Sequence, residues 1–273
     1  MTKNNKCVVI LSHSSYCDIW EMMMLSYNKY FSEKDSFDFF ISTNKVSNKL
    51  KELANENNFK LITYQENLTW GASLKQTISY LLNNNYVYSL FSFDDLILTY
   101  PVKSSVLNLT YQMQEYNIHY LQIKNGYRSW FSNSKLLNNG LHKVDSDDSY
   151  KGSLVFSILD EVLLRFIYEI EELEDYNPWQ YEINIHKFLA NFEFYCLPKS
   201  IVTFSNTIIK GKFDPIQLWF SEKRNQTKYS DKREKMNIYF FLKFLIKVLF
   251  FRFGKNILPK SLFNKIRVLK YKL

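Results

Sequence analysis

The regular alternation of short apolar runs with segments of helical period is what most limits how this chain can fold. Residues 7–12 (CVVILS) are continuously apolar, of buried-strand type, and DFFIST (38–43), FKLITY (59–64) and YVYSLFSF (86–93) follow as further strands. Between them lie DIWEMMMLSYNKYF, SNKLKELANENN (47–58) and WGASLKQTISYLLNN (70–84), each with the apolar spacing of a helix. Strands alternating with helices of this length imply a mostly parallel central sheet with helices on both faces. The expected class is α/β, Rossmann-like, in one domain, and ligands of such sheets bind at the carboxyl ends of the strands.

The alternation then loosens. A helix is expected from Pro101 to about Glu115 and a strand over 118–124. Residues 125–150 read as irregular loops, and their acidic run Asp145, Asp147 and Asp148 as a solvated turn. Helices are expected over 159–173 and from Pro178, followed by strand-like 192–197 and 201–209. The division this suggests is a catalytic-type domain over 1–212, a charged linker over 213–236, and a basic, aromatic helical tail over 237–273.

Composition narrows the functional classes. With 46% hydrophobic residues the chain is globular, far from the profile of a disordered one. Cys7, Cys17 and Cys196 are too scattered for a disulfide framework or a metal pair, and the short N-terminal apolar run reads as a strand, so a cytoplasmic location is expected. The net charge of +8 is uneven: residues 1–220 carry 20 Lys and Arg against 24 Asp and Glu, and 221–273 carry 15 against 3. A nucleic-acid-binding protein would spread its basic residues over the face that meets phosphate, so no nucleic-acid partner is expected.

Three constellations can carry chemistry. In FSFDDLIL, Asp94 and Asp95 lie just past a strand, at the ligand edge of a parallel sheet. A nucleoside diphosphate needs a divalent cation, Mg²⁺ or Mn²⁺, held by one or two hard carboxylates and its own phosphates. A capped turn is the other reading of such a pair. In NPWQYE, Glu182 on a helical segment beside Trp179 and Tyr181 is a candidate base, since an apolar wall raises a carboxylate's proton affinity. The competing reading makes the two aromatics core and Glu182 surface. The loop Ser12-His13-Ser14 after the first strand, and Asn44 after the second, offer backbone and side-chain groups to a nucleotide, although His13 reads more naturally as a structural histidine.

Taken together, VVILSHSSYCDIWE, FFISTN, the block from WGASLKQ to FSFDDLIL, YKGSLVFSILDEVLL, NPWQYE and IIKGK resemble a family of bacterial GT-A type glycosyltransferases of lipopolysaccharide, O-antigen or capsule assembly. The likeness spans about residues 7–212. It implies a nucleotide-sugar donor, a glycan or lipid-linked glycan acceptor, Asp94 and Asp95 at the ribose and metal, and Glu182 near the acceptor. It also offers Lys210 and Lys212 to a diphosphate. This chain has F-D-D where many GT-A enzymes have D-x-D, so one carboxylate can serve the ribose alone. The rival readings are a nucleotidyl or phosphoryl transferase and a non-catalytic membrane-bound scaffold with a degenerate nucleotide site.

In the tail, Lys243, Lys247 and Arg252 interrupt a run of Phe, Leu, Ile and Val that is too charged and too short to span a bilayer. Residues 237–273 contain no acidic residue, so an interfacial helix on an anionic membrane, at the inner face of the cell membrane, is expected. The alternative is a helix packed on the core or against a second copy in a homo-oligomer.

Overall fold

Cys7, Val9 and Leu11 belong to one apolar cluster and Val8 and Ile10 to another, and all five are buried. A strand buried on both faces needs helices on both. The computed structural model supplies them; it describes residues 5–124, 137, 140–144, 151–209, 211–229, 233–237, 239–242 and 246. The chain forms β1 (Lys6–Leu11), β2 (Asp38–Thr43), β3 (Phe59–Thr63), β4 (Tyr88–Phe93) and β5 (Leu96–Leu98). After these come β6 (Tyr120–Gln122), β7 (His142–Lys143), β8 (Ser157–Asp160), β9 (Tyr195–Cys196), β10 (Phe204–Asn206), β11 (Ile208–Ile209) and β12 (Lys212–Phe213). Eight of them make one sheet in the order β3-β2-β1-β4-β8-β6-β9-β7. The first four are mutually parallel, β8 runs antiparallel to both β4 and β6, and β9 is again parallel to β6.

Helices α1 (Trp20–Tyr30), α2 (Asn48–Glu56), α4 (Val106–Glu115) and α7 (Pro215–Asn225) cover the face with Val8 and Ile10. The face with Cys7, Val9 and Phe40 is covered by α3 (Trp70–Asn83), α5 (Glu161–Glu169) and α6 (Pro178–Phe188). Side chains start most of these helices by accepting from early backbone N–H groups: Ser47, Thr69, Ser105, Asp160, Asn177 and Asp214. Asn177 and Gln180 complete a capping box.

Four segments differ from the sequence expectation, each for a visible reason. The stretch after Pro101 stays extended, held by Val102 N to Tyr30 O (3.0 Å) and Lys103 N to Ile201 O (2.9 Å). The helix begins instead at Val106, where the Glu33 carboxylate accepts from Val106 N and Leu107 N at 2.7 and 3.0 Å. Residues 96–98, with no assigned role, pair antiparallel with 204–206. The expected helix 159–173 opens as the last two residues of β8, because Leu159 is needed in the sheet between Ser89 and Tyr120. Within 213–236, expected as a charged linker, Leu218, Ser221 and Asn225 bury one face of α7; its period is hidden because two of these three are polar while Ile216 and Trp219 are exposed. Residues 125–136 and the acidic run at 145–148 lie outside the described residues.

Candidate active site

The parallel strands β1, β2 and β4 end side by side, and the candidate residues follow those ends. Ser12 is the hinge of the arrangement. Its N–H donates to Ser42 O (2.9 Å), its carbonyl accepts from the Tyr64 hydroxyl (2.9 Å), and its Oγ accepts from Trp20 Nε1 (2.8 Å). The same Oγ donates a short hydrogen bond to the Asp94 carboxylate. One step further, Ser14 N donates to Asn44 Oδ1 at 2.9 Å, tying the β1 loop to the end of β2. His13 caps the 3-10 turn Ser14–Ile19, its Nδ1 accepting from Ser15 N at 3.1 Å.

Asp94 is buried, and its pKa is raised well above the usual carboxylate value by burial and by the charge of Asp95, with Ser12 and Arg233 opposing the shift. Burial also pushes Asp95 up, to about 6. The Asp95 carbonyl accepts from Thr207 N (3.0 Å), which fixes the pair to the segment after β10. Two adjacent carboxylates that resist joint ionisation suit a divalent cation, which removes the repulsion that raises their proton affinity. Among the described residues no group of three or more His, Cys, Asp or Glu gathers as a closed metal cage, so Asp94 and Asp95 would share a cation with ligand oxygens.

Glu182, on α6 of the other layer, is tied to the segment that enters β8. The register Phe91 to Ser157 makes β8 begin at the carboxyl end of β4, so the residues entering β8 come from the ligand edge. Among them Ser153 donates to Glu182 Oε1 at 3.0 Å. Gly152 permits the approach: its φ is +87°, and a Cβ there would meet Ile185 Cγ2 of α6 at 2.9 Å. Tyr181 is buried, its ring 5.3 Å from that of Trp70, whereas Trp179 is 60% exposed. The two aromatics flanking Glu182 therefore split, one into the core and one outward. Lys212 pairs with Glu234 at 2.7 Å, and Lys210 lies outside the described residues.

Three residues with no assigned role in the sequence reading complete the edge. Arg233 donates from Nε to Asp18 Oδ2 (2.9 Å), from Nη2 to Asp18 Oδ1 (2.7 Å) and to Ser15 O (2.7 Å), and from Nη1 to Gly211 O (3.1 Å). Its guanidinium lies 4.6 Å from the centre of the Tyr16 ring. The pKa of the Tyr16 phenol is raised by burial first, then by the charges of Asp94 and Asp95. Arg233 sits in a dense charged stretch, and no spacing links it to residue 18; only the fold pairs them.

No family profile matches the chain, and no curated protein matches it by sequence. Solved structures do. S. aureus TarS residues 1–349 in complex with UDP aligns at a TM-score of 0.52 and 16% identity, covering 81% of this chain and 64% of that one. The mannosyltransferase PcManGT from Pyrobaculum calidifontis, in complex with GDP-Man and Mn²⁺, aligns at 0.49 and 8% identity, over 77% and 59%. A cytidylyltransferase from Leptospira borgpetersenii aligns at 0.46 and 12% identity, over 75% and 83%. The chain thus spans under two thirds of the TarS fragment. The fold is GT-A-like, as the sequence led one to expect.

Proposed function

We propose that this chain is a glycosyltransferase that moves a sugar from a nucleotide-sugar donor to a glycan acceptor in bacterial surface-polysaccharide synthesis. The observation that supports the reading is the Asp94–Asp95 pair at the end of β4, Asp94 buried and Asp95 half-buried, with Glu182 held by Ser153 of the segment that enters β8. The fold shared with TarS, solved with UDP, supports a nucleotide ligand.

In this reading Asp94 and Asp95 would hold Mg²⁺ or Mn²⁺ together with the donor diphosphate, and such an ion would supply charge neutralisation on the leaving group. Ser12 fixes the Asp94 carboxylate, while Ser14 and Asn44 shape the loop against the nucleoside. Glu182 takes the proton from the acceptor hydroxyl as its oxygen bonds to the anomeric carbon; the bond from that carbon to the diphosphate oxygen breaks, and the nucleoside diphosphate leaves. Residues 237–273 hold the protein at an anionic membrane, where a lipid-linked acceptor would lie; no described helix is long and apolar enough to cross one.

Nucleotidyl transfer would use the same acidic pair but needs cations on a triphosphate, and Arg233 is already engaged by Asp18. Incubation with a panel of nucleotide sugars and Mg²⁺ or Mn²⁺ tests the proposal. One donor is expected to stabilise the protein and release its nucleoside diphosphate; a folded protein inert to the whole panel would remove the glycosyltransferase reading.

A further inference from the structure

The inner face of α7 is Leu218, Ser221 and Asn225, at the spacing of a buried helical stripe. Its outer stripe, Ile216, Trp219 and Lys223, has the same spacing but carries two large apolar side chains, 54% and 58% exposed, where a solvated helix normally has charge. Lys223 Nζ lies 5.0 Å from the centre of the Trp219 ring, and Arg224 is exposed beside it. Met236 N donates to Phe213 O (2.8 Å) and Lys235 bridges to Phe213, which brings the following segment back beside the start of α7. From there Tyr239, Phe240, Leu242 and Ile246 are exposed, and Phe241 is buried.

We propose that the outer face of α7 is a membrane-contact surface of the folded domain, continuous with the basic tail and made for an anionic bilayer. The charge of this region selects the occupant: residues 221–273 carry 15 Lys and Arg against 3 Asp and Glu, whereas 1–220 are net acidic. An exposed Trp and Ile beside Lys223 match a headgroup boundary, with the rings below and the ammonium among the phosphates, while the neighbouring Arg224 stacks on Tyr100 and Phe220. The face is also tied to the candidate active site. Asp214, which caps α7, donates from its N–H to Thr207 O (2.9 Å), and Thr207 N donates to Asp95 O. The far end of α7 is pinned to α1, where Arg224 O accepts from Lys29 Nζ and Tyr30 OH. A bilayer against α7 would therefore lie at a fixed attitude beside the ligand edge, unlike one held only through a tail.

This inference rests on the peripheral-membrane reading above, and flotation with vesicles separates the two. The full-length chain is mixed with vesicles of phosphatidylcholine alone, or of equal parts phosphatidylcholine and phosphatidylglycerol. Wild type is expected to float only with the anionic vesicles. Ile216→Ser/Trp219→Ser is expected to bind them roughly tenfold more weakly with an unchanged melting temperature, the effect of withdrawing two large apolar side chains from an interface. Trp219→Phe is expected to lose part of the blue shift of tryptophan emission that vesicles induce. Unchanged affinity in the double variant, with loss in Lys243→Glu/Lys247→Glu, would overturn the α7 surface and leave the tail reading standing. A wild-type dimer that the double variant splits, with vesicle binding intact, would assign the face to a second copy instead. Wild type that floats with neither vesicle overturns both readings.

Discussion

Arg233 grips both carboxylate oxygens of Asp18, at 2.9 and 2.7 Å, and so closes 215 residues of chain onto the turn that follows β1. Both side chains are about seven-eighths shielded, at 13% and 12% exposure. The Arg233 guanidinium also lies over the Tyr16 ring, so the C-terminal segment is fixed against the turn that follows β1.

Removing one partner of a shielded, bidentate pair leaves the other charge uncompensated. Arg233→Ala is expected to lower stability by about 3 kcal/mol in denaturant unfolding and to weaken nucleotide binding. Asp18→Ala should cost a similar amount, and the double variant clearly less than the sum. Additive losses would show that the pair contributes no coupling.

The acidic pair sets a pH dependence of opposite sign to that of a salt-bridged carboxylate. Asp95 has its folded pKa raised to about 6 from an unfolded value near 3.9, so the folded state binds more protons between those values. The metal-free protein is expected to lose stability as pH rises from about 4 through about 6, and the raised Asp94 adds a loss of the same sign. Asp95→Asn should therefore stabilise the metal-free protein at pH 7.5, on the order of 2 kcal/mol, and hardly at all at pH 4. Thermal unfolding at the two pH values checks this; destabilisation at pH 7.5 would contradict the assigned shift. Mn²⁺ affinity should rise with pH over the same window, because binding expels the proton.

Glu182→Gln keeps the shape of the side chain and its bond from Ser153 but cannot take a proton. Transfer is expected to fall by about 100-fold or more while donor binding is retained, as read from product formation and donor titration. Transfer at the wild-type rate would exclude Glu182 as the base.

Gly152 lets the loop before β8 close on α6. Gly152→Ala imposes a side chain at φ +87° and 2.9 Å from Ile185, so Ser153 and Glu182 should shift together. Acceptor KM is expected to rise and donor affinity to stay, whereas Leu164→Ala, a cavity in the same layer, should cost about 2–5 kcal/mol of stability without that selectivity.

The strands and helices of the first hundred residues were legible because period and burial coincide: Val8 and Ile10 against Cys7 and Val9 leave no other arrangement. The position of Asp94 and Asp95 followed from the same logic, since an acidic pair after a buried strand must stand at the ligand edge. What escaped the sequence depends on long-range partners. The start of α4 is set by Glu33, 73 residues away from Val106, and the antiparallel β8 by its neighbours on either side. Arg233 escaped for the same reason, its partner lying 215 residues away, and α7 because two of its three buried residues are polar while Ile216 and Trp219 face outward.

The most direct measurement follows the phosphates of the donor that stabilises the protein, in wild type and in Asp95→Asn, with Mn²⁺ present. Glycosyl transfer predicts release of an intact nucleoside diphosphate by wild type, with loss of that release in the variant. Pyrophosphate formed from a nucleoside triphosphate and a sugar phosphate, with no nucleoside diphosphate from any sugar donor, would contradict the account and make the acidic pair that of a nucleotidyltransferase.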